Sequence, residues 1–172
     1  LTRIEVARSK ELFAQEFSRG APLGPLQRLG GTPNRRGTSV TFVPDPEIFG
    51  AEAKFKPARL FRLARSKAYL FAGVEIRWKC AASLASEDVP AEAVFQFPGG
   101  LADYLSDTLE KTTTYADRPF AGKVSFQDKY NVPGSVEWAI NWSPVRDGFL
   151  QSYCNTVPTP EGGTHEFGFW SA

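Results

Sequence analysis

Methionine is absent from the 172 residues, histidine occurs once and cysteine twice. The lone His165 excludes a metal centre built on several imidazoles, and no Cys-x-x-Cys pair is present to grip zinc. Cys80 and Cys154 stand far apart in predicted strands and read as buried free thiols, suited to a reducing cytosol. No apolar run approaches the ~20 residues that span a bilayer, and the first residues carry no signal-peptide pattern. An excess of one charge is also missing. The 20 Lys and Arg oppose 19 Asp and Glu, so no global basic field argues for nucleic acid, while a local basic patch stays open. Gly162-Gly163-Thr164-His165 lacks the lysine and spacing of a P-loop. The missing methionine and the opening Leu1 fit a piece of a longer protein.

What is present suffices for a core. Hydrophobic residues make up 42% and aromatics 13%, enough for one domain or parts of two. Ile4–Arg8 and Leu12–Phe17 read as strands joined by Ser9-Lys10-Glu11. Gly20 to Asn34, rich in Gly and Pro, reads as a loop. Thr38–Val43 alternates as a half-buried strand, stopped by Pro44-Asp45-Pro46 because proline fixes φ and lacks an N–H. Pro57–Phe71 is the clearest helix, with Pro57 in its first turn, an apolar stripe of Leu60, Leu63, Ala64 and Phe71, and Gly73 beyond its end. Val74, Ile76, Trp78 and Cys80 alternate with polar residues as a strand, which pairs with Ala93–Phe97 as a hairpin. Ala81–Glu92 is a polar connector.

Pro98-Gly99-Gly100 reads as an internal boundary, followed by a short helix over Leu101–Leu109 and a loop over Lys111–Arg118. Strands are expected at Lys123–Lys129, Val136–Trp142 and Phe149–Asn155, with turns at Asn131–Gly134 and Pro144–Gly148. Val136, Trp138, Ile140 and Trp142 are expected to bury one face of the second. Thr164 reads as the cap of a final helix.

No self-contained active site is visible. His165 has no identifiable Ser or Cys partner, so a packed, hydrogen-bonded histidine is a better reading than a general base. Asp103, Asp107 and Glu110 read as a solvated face rather than a metal site. Arg35-Arg36 reads as a phosphate patch or as simply solvated. Trp138 and Trp142 read as core before base-stacking residues.

Five segments resemble one family in chain order: Ile4-Glu-Val-Ala-Arg-Ser-Lys10, Gln15-Glu-Phe-Ser-Arg-Gly20, Arg35-Arg-Gly-Thr-Ser-Val-Thr-Phe-Val-Pro-Asp-Pro-Glu-Ile-Phe49, Phe97-Pro-Gly-Gly-Leu101 and Glu161-Gly-Gly-Thr-His-Glu-Phe-Gly-Phe169. They resemble the ATP-hydrolysing B subunit of bacterial type IIA DNA topoisomerases, either topoisomerase IV or DNA gyrase. Pro44-Asp-Pro-Glu-Ile-Phe-Gly50 and Arg65–Trp78 are more similar to topoisomerase IV. Leu1 corresponds to the middle of the family's ATPase domain, so an internal fragment is expected.

The resemblance implies an α+β fold. Residues 1–97 are expected to be the C-terminal part of a GHKL-type ATPase domain, and residues 98–172 the first half of a ribosomal-protein-S5-like transducer domain. It implies a part of the subunit that couples ATP binding and hydrolysis to DNA strand passage, relaxation and chromosome decatenation. Its implied partners are DNA, the DNA-cleaving subunit of the topoisomerase, and a second copy of the ATP-hydrolysing subunit, in the cytoplasm. Thr38 matches the threonine that helps bind adenine, Val40 an apolar wall of that pocket, and Arg8 the arginine at its mouth. Without the resemblance, Arg8 reads as an exposed strand arginine.

In the family, the general-base glutamate, the magnesium-holding asparagine, the adenine-binding aspartate and the glycine-rich lid precede the position of Leu1, and the transducer lysine follows that of Ala172. ATP and Mg2+ are therefore expected to serve the complete subunit, with no tight binding, catalytic residue or metal ligand in this chain. The first part is expected to expose apolar surface. The alternative is a stand-alone S5-like module that binds RNA or protein without catalysis.

Overall fold

The computed structural model describes residues 1–145 and 147–171, which divide into two compact units, Leu1–Phe55 and a second beginning at Lys56. Both are built of mixed helix and antiparallel strand.

In the first unit, β1 (Thr2–Arg8), β2 (Glu11–Ser18) and β5 (Gly37–Phe42) are strands where strands were expected and pair as one sheet, but β5 is not half-buried on its apolar face. The segment expected to be a loop adds two strands to β2, namely β3 (Ala21–Pro22) and β4 (Gln27–Gly31). Strand β4 joins through a register shift at Leu12/Phe13, so its glycines serve an irregular pairing rather than a free loop. Ala7 and Ala14 are buried, whereas Val40, Phe42 and Val43 are exposed. The expected apolar exposure of this unit is thus seen on β5 and beyond. A four-residue helix, α1 (Pro46–Phe49), follows the proline stop. Its cap is Asp45, whose carboxylate accepts from the Glu47 N–H at 3.0 Å.

The second unit opens with α2 (Pro57–Leu70), with Pro57 in its first turn as expected, but the expected stripe is not its buried face: Leu60, Leu63 and Phe71 are exposed, and Ser66, Ala68 and Tyr69 are buried instead. The hairpin β6 (Ile76–Lys79) with β7 (Glu92–Phe95) sets Ile76 opposite Phe95. Phe61 of α2 meets Trp78 and Phe95 edge-on, with ring centroids 5.4 and 5.2 Å away. The connector holds a 3-10 turn at Ala82–Leu84. Helix α3 (Leu101–Leu109) has the predicted bounds.

Residues on both sides of Pro98 share one core in this unit. Ala68, Tyr69 and Phe97 are buried, with Leu101, Tyr104 and Tyr153 packed on them. Tyr69 stacks on Tyr104 at 3.8 Å and its hydroxyl lies 2.5 Å from that of Tyr153. Gly100 makes the close turn possible. Its φ is +63°, and an added Cβ would stand 3.4 Å from Ala72 and 3.5 Å from the Tyr69 carbonyl. The compact units therefore separate at Phe55/Lys56, not at Pro98-Gly99-Gly100.

Strand β8 (Phe120–Gln127) pairs with β9 (Pro133–Ile140) alone among the described residues. The expected buried face over Val136–Trp142 is not formed, because Val136 and Trp142 are exposed. Trp138 instead lies over the gap left by its cross-strand partner Gly122, and Phe126 does the same at Gly134. The turn between them falls at Asp128–Val132, where the Asp128 carboxylate accepts from the Tyr130 and Val132 N–H groups at 2.8 and 2.9 Å. Of the turn expected at Pro144–Gly148, Arg146 lies outside the described residues, as does the terminal Ala172.

The expected last strand shrinks to β10 (Tyr153–Cys154), paired with β11 (Val157–Pro158) around Asn155 and Thr156, both at positive φ. Helix α4 (Thr164–Trp170) starts on Thr164 itself. Gly163 holds the cap position in extended backbone, and no side chain caps the helix. The cysteines are free, but Cys154 is exposed and Cys80 half-buried. Among the described residues, no helix is long and apolar enough to cross a membrane.

Candidate functional site

A groove of about 690 Å³ opens in the first unit at the end of β1 and the start of β5. Its floor comes from strand pairing. Val6 faces Thr38 and Ala7 faces Gly37, so alternation sets Arg8, Val6 and Thr38 on one face of the sheet. One rim is the two-residue turn Ser9-Lys10, closed by the Arg8–Glu11 pair. Both turn residues have positive φ, 54° and 64°, which matches the right-handed twist of the hairpin. The other rim is the loop 32–36, tied to that turn by a 2.7 Å hydrogen bond from the Thr32 N–H to the Lys10 carbonyl.

This geometry brings four cations to one groove, Arg8, Lys10, Arg35 and Arg36, and no acid among its lining residues. Arg35 is held from below by Glu5, at 2.9 Å. The guanidinium of Arg35, and then that of Arg3, keeps the Glu5 carboxyl below the usual carboxylate range. A groove with such walls attracts an anion, and Thr38 adds a hydroxyl that can donate or accept.

The structure thus gathers Arg8 and Thr38 into one groove. Val40 lies two residues farther along β5, on the same face and opposite Ile4, but outside the lining. Sequence reasoning passed over Lys10 and left Arg35 and Arg36 undecided. The signal for Lys10 was its place in a two-residue turn beside Arg8. The approach of loop 32–36 had no local signal, since it depends on long-range pairing.

The remaining candidates do not form a second chemical site. The His165 ring makes one hydrogen bond, 3.3 Å to the Thr159 hydroxyl, which is 2.7 Å from Ser152. His165 is exposed rather than packed. Asp107 pairs with Arg65, and Asp103 accepts from the Gly99 N–H at 2.6 Å. Among the described residues, no three His, Cys, Asp or Glu side chains cluster to hold a metal.

The family model described as DNA gyrase B matches residues 100–172. The B subunit of DNA topoisomerase 4 from Caulobacter vibrioides is 52% identical over 99% of this chain and 25% of its own length. The protein of the same name from Bartonella bacilliformis is 50% identical over 96% of this chain and 24% of its own. Among solved structures, the 43K ATPase domain of Thermus thermophilus gyrase B, in complex with an aminocoumarin, aligns with a TM-score of 0.75. It has 30% identity and covers 99% of this chain and 43% of that one. The gyrase B-subunit from Myxococcus xanthus shares the fold at a TM-score of 0.78 and 24% identity, over 99% of this chain and 47% of its own. The chain spans about a quarter of the length of the curated relatives it matches.

Proposed function

The chain belongs to the family of B subunits of bacterial type IIA topoisomerases, topoisomerase IV and DNA gyrase, and from that premise we propose that it forms one wall of the nucleotide site and the start of the transducer. In this reading, the complete subunit couples ATP binding and hydrolysis to DNA strand passage, relaxation and decatenation in the cytoplasm. It works with the DNA-cleaving subunit, and it pairs with a second copy of itself when ATP binds. By the family likeness, residues 1–97 are the GHKL-type part and 98–172 the S5-like part, a division that runs through the shared core of the second compact unit rather than along the split at Phe55/Lys56. The matched span 100–172 supports that second division by position. The stand-alone module loses its ground, because the likeness to topoisomerase subunits runs through both parts.

The observation that carries the proposal is the cationic groove containing Arg8 and Thr38. Thr38 hydrogen-bonds the adenine directly or through water, Val40 offers an apolar wall beside it, and Arg8 stands at the mouth. The four cations suit a polyphosphate that reaches this end of the sheet. The groove lining contains no carboxylate or amide side chain.

The test is an ATP titration of the complete subunit. Thr38→Ala is expected to weaken binding by about 0.5–1.5 kcal/mol, the net worth of one hydrogen bond, and Thr38→Val by a similar amount. Equal affinity of Thr38→Val and the parent removes Thr38 from the site.

A further inference from the structure

The near-neutral charge of the chain conceals a strong segregation. Residues 53–74 hold six of the 20 cations and no acid, leaving 14 cations against 19 acids elsewhere. The helix α2 carries most of that charge, and it divides in two. Arg65 pairs with Asp107 and lies 5.3 Å above the Tyr104 ring. Lys67 donates to the Thr156 carbonyl at 2.7 Å and to its hydroxyl at 3.1 Å. These two serve the packing of the second unit. Lys56, Arg59 and Arg62 are exposed, and none has an acidic partner in ion-pair range among the described residues. Arg62 only touches the Ala58 carbonyl of its own helix, at 3.3 Å.

We propose that Lys56, Arg59 and Arg62, on the outward face of α2, form a contact surface for the phosphate backbone of double-stranded DNA. The proposal rests on the DNA-acting function proposed above. Three arguments carry it. First, the strip is unpaired although acids are plentiful in the rest of the chain. Second, it stands at the positive end of the helix. The first turn has no acidic residue and no side-chain cap. Cations there weaken the helix instead of stabilising it, while they raise the potential offered to an outside anion. Third, the charge densities match. From Lys56 to Arg62 the helix rises about 9 Å at 1.5 Å per residue, and one strand of B-DNA carries about one phosphate per 3.4 Å of axis. Three cations thus face two to three phosphates. The neighbouring Leu60 and Leu63 are exposed and offer no hydrogen bond to a base edge, so the contact positions the duplex without reading its sequence.

The experiment compares the complete subunit with its K56Q/R59Q/R62Q variant, measuring anisotropy of a labelled duplex across a salt series. ATP affinity serves as the check that the fold is intact. The variant is expected to bind DNA more weakly at low salt, by the same factor on unrelated sequences, with ATP affinity unchanged. The slope of log K on log salt is expected to become shallower by up to about 2.7, near 0.9 per lost phosphate contact. A variant with the parent's slope and affinity overturns the surface while leaving the DNA-acting function in place. So does one that keeps DNA but no longer binds the DNA-cleaving subunit. A parent that binds no duplex overturns the function on which the proposal rests.

Discussion

Single side chains show most clearly where chemistry and packing part company. Burial, with the bond to Tyr153, raises the ionisation of the Tyr69 hydroxyl well above the ordinary tyrosine range, and burial also raises that of Tyr153. A raised value means that this contribution to stability is complete below the unfolded pKa of about 10. It is lost as pH rises through the folded value, because the unfolded chain gains a charge that the core refuses. The urea midpoint of the chain is therefore expected to fall above pH ~10, and the fall should shrink in Tyr69→Phe. An unchanged alkaline profile in that variant would contradict the assignment. At this scale the candidate site was half legible. Thr38 and Arg8 sit in segments whose residue order carries the family likeness. Lys10, Arg35 and Arg36 become one electropositive rim only once the Ser9-Lys10 turn and loop 32–36 are joined by a backbone bond. Nothing local in the sequence encodes that approach.

At the level of elements, legibility followed the strength of local rules. Helix α3 and three hairpin pairings could be read because apolar periodicity and turn chemistry agreed there, and α2 because its proline start and trailing Gly73 bounded it, although its apolar stripe did not become its buried face. Strand β4 was missed because pairing with β2 overrides its glycine-rich composition, and α1 because four residues are too few to show a period. The β9 face was misread because alternating aromatics fit a buried face and also the covering of Gly122. The turn into α3 offers a direct test. Gly100 combines a positive φ with ψ of −126°, a region nearly closed to other residues. Gly100→Ala is expected to cost about 1–3 kcal/mol. Gly148→Ala, which meets no neighbouring atom, should stay within about 0.5 kcal/mol. Comparable urea midpoints for the two variants would show that the turn is not under this constraint.

Taken as a whole, the molecule offers a cationic groove lined by no carboxylate, and no three His, Cys, Asp or Glu side chains cluster to hold a metal among its described residues. The purified 172-residue chain is therefore expected to show negligible ATPase activity, since losing such groups typically lowers rates by orders of magnitude. Magnesium-stimulated turnover by the chain alone would refute this. A further consequence comes from β5, which in the described residues bonds only to β1 while Val40 and Phe42 point apolar surface outward. A strand with an open hydrogen-bonding margin and no proline or lysine within it is a template for sheet extension. When purified alone, the chain should self-associate as its concentration rises, giving growing particles in light scattering. Val40→Lys, which places a charge on that margin, should keep it monomeric.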